Sequence, residues 1–216
     1  MVPNRFLFYT FFLLFTTVGF SQYAEYEWEE RDDWMDVSKI FELANIGTGS
    51  LVADIGCHEG YLTVRLSKRV GESGGVYAVD VRDDRLETLR ENLEDRNIKN
   101  VEVVLGDYDD PKLPMATLDA IFIMDAYHEI ADYMKVLDHI HTALKPGGRI
   151  LVLEKLKDRV KDKSREDQID SHTLSSKYVK EELQEAGFLI TKTIMDFGRW
   201  EREENKTMWI LVAKKQ

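Results

Sequence analysis

Apolar and polar positions follow two rhythms along this chain. Over residues 33–46, Trp34, Val37, Ile40, Phe41, Leu43 and Ala44 recur at helical spacing, with Asp32 or Asp33 placed to cap the start. Gly47 and Gly49 then interrupt the pattern. From there, short apolar runs alternate with amphipathic stretches. Residues 51–55, 76–79, 101–105, 118–124 and 150–153 read as buried strands, the last closed by Glu154. Helices are predicted over 61–70, over 85–96 with Leu86, Leu89 and Leu93 on one face, and over 133–144 with Met134, Leu137, Ile140 and Ala143. Strands this apolar, separated by helices of ten or more residues, imply a parallel sheet covered on both faces and joined by right-handed crossovers.

The C-terminal part changes rhythm. A helix over 175–186 is closed by Gly187, and strands over 188–195 and 207–213 follow with no helix between them. The pattern as a whole predicts an α/β fold: a doubly wound, mostly parallel seven-stranded sheet with a C-terminal antiparallel hairpin and helices on both faces. Residues 155–170 are charged and carry no apolar period, so a mobile loop or lid over the site is expected there. Its cations Lys155, Lys157, Arg159, Lys161, Lys163 and Arg165 are interleaved with Asp158, Asp162, Glu166 and Asp167, the pattern of a solvated mixed-charge loop.

Composition narrows the class. The 216 residues are 44% hydrophobic and 32% charged, which suits one globular domain with a substantial core. A net charge of −11 opposes nucleic-acid binding, where phosphate neutralisation supplies most of the affinity. The single cysteine, Cys57, excludes an intramolecular disulfide and a cysteine-ligated metal cluster, and no metal site is expected. At the N-terminus, Arg5 precedes an uncharged apolar run over 6–20, too short for a membrane span of about 20 residues but suited to a signal-peptide core. Gly19 and Ser21 supply the small residues a signal peptidase reads. Residues 1–21 are therefore expected to be a signal peptide and 22–216 the functional domain, exported to a periplasmic or extracellular space. An uncleaved anchor and an N-terminal core helix are the other readings.

Three strand ends carry the chemistry. The run Val52-Ala53-Asp54-Ile55-Gly56 leads through Cys57, His58 and Glu59 to Gly60, which opens the next helix. Glycine there permits a sharp turn and close approach of a ligand to the backbone, beside a helix start with free N–H groups. Asp80 ends the second strand, where a carboxylate reaches both hydroxyls of a ribose. Asp107 follows the third, placed to accept from an exocyclic amine. A dinucleotide-dependent dehydrogenase shares this plan but needs G-x-G-x-x-G, and His58 and Glu59 occupy its second and third glycine positions.

With the 118–124 strand and the turn Leu144-Lys145-Pro146-Gly147-Gly148, this series resembles the class I S-adenosylmethionine (SAM)-dependent methyltransferases, in order and spacing from about Asp33 to the C-terminus. The family often has glycine where His58 stands. The resemblance implies that SAM is the cofactor. Asp54, Gly56 and Gly60 would line its methionine end, and Asp80 would bind the ribose. Val81 would pack on adenine, Asp107 and Tyr108 would hold the adenine edge, and Met124 and Asp125 would face the methionine moiety.

Methyl transfer from a sulfonium is chiefly a matter of alignment, and an acceptor of high pKa also needs a base. His128, in Asp125-Ala126-Tyr127-His128-Glu129, is the candidate base; the other reading makes it a capping or packing residue of the next helix. Glu129, Tyr127 and His172 are secondary candidates. The segment lacks the Asn-Pro-Pro-Tyr of adenine and glutamine amine methylases, and Cys57 stands in the cofactor loop, away from where a cytosine C5 methylase needs its nucleophile. A small-molecule acceptor is expected, with no nucleic acid and no membrane contact beyond the N-terminal run. The competing function is an exported SAM- or nucleoside-binding protein of the same fold without turnover.

Overall fold

A computed structural model describes residues 25–216. The expected signal peptide lies outside the described residues, and among those described no helix is long and apolar enough to cross a membrane. Strands β1 (Leu51–Ile55), β2 (Gly75–Asp80), β3 (Val101–Leu105), β4 (Leu118–Met124), β5 (Leu144–Lys157), β6 (Phe188–Arg199) and β7 (Lys206–Lys215) form one seven-stranded sheet in the order β3-β2-β1-β4-β5-β7-β6. The first five pair in parallel, while β7 runs antiparallel between β5 and β6. This is the mostly parallel sheet with a terminal antiparallel hairpin that the sequence predicts.

Strand alternation sorts the core into two layers. Val52, Ala120, Phe122 and Leu151 face one side, under α2 (Val37–Ala44) and α3 (Tyr61–Val70). Ala53, Ile121, Ile123 and Val152 face the other, under α5 (Tyr133–Ala143) and α7 (Ser176–Glu185). A smaller cluster seats Leu86, Leu89 and Leu93 of α4 (Asp83–Asp95) on Ala78 and Cys57. The central strands β1, β4 and the middle of β5 bury both faces, hence their continuous apolar runs in the sequence, while the edge strands β3 and β6 are largely half-buried or exposed.

Three boundaries differ from the sequence reading. The helix expected over 33–46 is shorter, α2 at 37–44, and a separate helix α1 (Trp28–Asp32) that the sequence reading did not predict precedes it. Asp36 caps α2 by accepting from the Lys39 N–H at 2.9 Å, while Asp32 is spent on Arg65 and on the Tyr61 hydroxyl. The fifth strand does not stop at Glu154, because β7 pairs with it from Arg149 as far as Lys157. Residues 155–170 are correspondingly not a structureless lid. Beyond β5 they form a 3₁₀ turn at Asp158–Val160 and α6 (Arg165–Ile169). Gln168, only 1% exposed, ties them down by donating to the carbonyls of Lys161 and Lys163 and accepting from the Ser175 N–H. Lys155 is buried too, paired with Asp125, so it does not belong to a solvated charge run.

Candidate active site

Strand order reverses between β1 and β4, and the chain leaves those strands in opposite directions at their carboxyl ends. A cavity of about 400 Å³ opens there, within the usual range for small-ligand sites. Its wall includes Asp54, Gly56, Asp80, Val81, Asp107, Tyr108, Met124 and Asp125. Of the expected cofactor residues only Gly60 is absent from the wall. It acts one step back, starting α3 at φ 99°, where a Cβ would come within 2.3 Å of the buried Leu89 side chain.

The loop after β1 is held from below. The N–H groups of Gly56 and Cys57 both donate to the Val79 carbonyl, at 2.8 and 3.1 Å. Gly56 has φ 76°, and a Cβ on it would meet that of Ala126 at 2.4 Å, so the residue must be glycine. His58 also takes a left-handed backbone, φ 50°, and its N–H donates to Asp80 Oδ2 at 2.9 Å. The conformation that glycine would supply is thus kept in this chain by a histidine. Burial, helped by Arg85 and Arg82, pushes its imidazole pKa down to about 4, so the ring is neutral near pH 7. Glu59 fastens the loop to α4 through Arg85 at 2.6 Å and through its carbonyl, which accepts from Asn92.

Asp80 is braced at both oxygens, by the His58 N–H and by that of Arg82 at 3.0 Å. Each oxygen keeps a lone pair, which suits a vicinal diol. Asp54 lies 2% exposed with the Thr63 hydroxyl donating at 2.6 Å, and burial pushes its pKa up to about 6. A buried carboxylate of this kind gains from a cationic partner such as an amino group. Asp107 and Tyr108 stand at the exposed rim, Asp107 with Lys112 Nζ at 3.1 Å. These donors and acceptors fit an amino acid at one end, a ribose in the middle and a base at the rim.

Sequence reasoning missed one residue of the wall and the aromatic rings packed behind it. Arg31 of α1 lines the cavity, stacked over Tyr61 at 4.1 Å and Trp200 at 4.9 Å, and donates to the Met124 sulfur at 3.1 Å. Trp34 packs edge-on to Trp200 with ring centroids 5.0 Å apart. Arg31 precedes every motif and Trp200 follows the last helix, so only the folded chain unites them.

The residues after β4 separate into distinct roles. Asp125 turns the chain at φ 53° and pairs with Lys155, whose ammonium lies over Trp200. Tyr127 is fully buried and donates to Glu182 at 2.8 Å, which together with burial raises its pKa and removes it as a base. His128 is 3% exposed and does not line the cavity. Its Nδ1 bonds both oxygens of the buried Glu154, at 2.9 and 3.0 Å. Burial alone would lower the His128 pKa, but the Glu154 charge and hydrogen bond leave it raised. Glu129 does line the cavity, with Oε1 at 3.8 Å from His128 Nε2 and 4.0 Å from Nδ1 of the exposed His172.

An open α/β sheet with a glycine turn, a buried acid and a strand-end acid suited to a diol at its switch point has the features of the class I SAM-dependent methyltransferase type. A family model described as a methyltransferase domain matches residues 46–187, and the chain belongs to that family. It is similar to the ubiquinone/menaquinone biosynthesis C-methyltransferase UbiE of Cronobacter sakazakii, 37% identical over 114 residues covering 52% of this chain and 45% of that protein. It is also similar to the demethylmenaquinone methyltransferase of a Geobacillus strain, 30% identical over 110 residues covering 51% and 47%. The chain spans about half the length of these curated relatives. Among solved structures, a SAM-dependent methyltransferase from Aquifex aeolicus superposes with a TM-score of 0.73 at 25% identity, covering 87% of this chain and 93% of that one.

Proposed function

We propose that this chain transfers the methyl group of SAM to a small acceptor with a hydroxylated, quinone-type ring. The observation that carries the cofactor half is Asp80: a carboxylate with both oxygens braced by backbone N–H groups and still able to accept, at the switch point of the sheet. The acceptor class is supported by the similarity to the two quinone-pathway methyltransferases and by Tyr61 on the cavity wall, beside an Arg31 that stacks on both Tyr61 and Trp200.

Bound SAM supplies an electrophilic methyl on a sulfonium. Asp80 would hold the ribose, Val81 would pack on adenine, and Asp107 with Tyr108 would hold its edge. Asp54, Gly56 and Met124 would position the methionine end. Arg31 and Tyr61 would shape the acceptor side and exclude water, leaving alignment as the main source of rate. His128, the expected base, does not itself line the cavity and stands behind Glu129, which does. Export of the domain by residues 1–21 belongs to the same proposal; the mass of the mature N-terminus tests it, with Gln22 expected and an intact Met1 contradicting it.

Incubation with methyl-labelled SAM and a reduced demethylmenaquinone-type quinol tests the reading. Label on the quinol ring is the expected result. SAM binding without transfer to the quinol would overturn the acceptor class, and label on no acceptor in a cell extract would favour a binding protein.

A further inference from the structure

His128, Glu129 and His172 each offer one ligand atom, and the three atoms lie within 4.8 Å of one another. The nearer separations, 3.8 Å between His128 and Glu129 and 4.0 Å between His172 and Glu129, exceed hydrogen-bond length. Ligand atoms around an ion at about 2.1 Å would stand about 3.4 Å apart in a tetrahedron. The observed triangle is slightly open, and Glu129 and His172, both exposed, have freedom to close it. Their spacing therefore suits an ion between them better than direct contact.

A second observation comes from beneath the triangle. Glu154 is fully buried on β5, and its carboxylate binds both the His128 backbone N–H and Nδ1. That contact places the Nδ1 proton against the carboxylate and leaves Nε2 toward Glu129 and His172. A buried carboxylate that fixes a histidine tautomer and ring orientation is the usual support of a metal-ligating imidazole. His172 itself is held at φ 51°, in the left-handed region, as the chain turns from α6 toward α7. A neighbouring group, Asp125, His128 and Glu154, is also compact, but there Lys155 already supplies the cation and His128 is hydrogen-bonded directly.

We infer that His128, Glu129 and His172 form a divalent transition-metal site, of the two-histidine, one-carboxylate kind that zinc accepts, at the wall of the cavity. Three protein ligands leave at least one position open. Because Glu129 lines the cavity, the ion would lie where an acceptor oxygen can reach it and lose its proton more readily. This last role rests on the methyl-transfer reading; the binding of the ion does not.

The test uses the whole chain, stripped with a chelator and titrated with Zn²⁺ by calorimetry and with Co²⁺ by visible absorption, in the absence of SAM. One equivalent should bind at micromolar Kd or tighter, with cobalt bands of a low-coordinate site. The variants His172→Ala and Glu129→Gln, both at exposed positions, should each weaken binding at least ~10-fold, and Glu154→Gln by ~10- to 100-fold. Absence of saturable one-to-one binding, or unchanged affinity in His172→Ala, would overturn the site. A separate SAM titration of the metal-free protein distinguishes a failed cofactor assignment from a failed metal site.

Discussion

Asp54 shows most directly how burial and chemistry meet in one residue. Its carboxyl is held in the protonated form up to about pH 6, whereas in an unfolded chain it ionises near pH 4. Between those values the unfolded state loses its proton first. The penalty of burying the charge is thus absent below about pH 4, grows as pH rises and is complete above about pH 6, at about 3 kcal/mol. Urea midpoints of wild type and Asp54→Asn should therefore diverge, the variant gaining relative stability by that amount between pH 4 and pH 8; parallel curves would contradict the assignment. A cationic amino group bound nearby favours the ionised form, so SAM affinity should fall as pH drops below 6. The Asp54 position was legible in the sequence as part of the glycine loop. Its pKa was not, since that depends on Thr63 and on the packing of α3.

At the scale of elements, the central strands were legible because they are buried on both faces and read as nearly unbroken apolar runs. Helix ends and the β5 boundary were less so. Asp36 outcompetes Asp32 and Asp33 as a cap because those acids have partners far along the chain, in Arg65 and in Arg202. The segment after β5 looked like a lid because its charges hide one buried glutamine. Gln168 makes three hydrogen bonds to backbone groups there, so Gln168→Leu should leave several of them unsatisfied and cost about 1–3 kcal/mol, read as a fall in urea midpoint. A solvated lid would show no change. The element account further implies that amide exchange in α6 is slow, as expected of a packed connection and not of a mobile loop.

In the whole molecule, the sheet brings together groups from separate parts of the chain. Arg31 meets Met124 at the cavity wall and stacks on Trp200 behind it, and Glu154 reaches back to fix His128. None of these pairings has a spacing that a motif could encode, so the sequence disclosed the cofactor's side of the site and concealed the acceptor's. The switch-point crevice, by contrast, depends only on strand order, and the methyl-transfer reading rests on a nucleoside cofactor seated there against Asp80. Calorimetric titration of the full chain with SAM, beside Asp80→Ala, addresses that claim most directly. The account predicts one-to-one binding by the wild type and a loss of at least ~10-fold in the variant, about 1.4 kcal/mol or more. No heat of binding in the wild type, or equal affinity in both proteins, would contradict it.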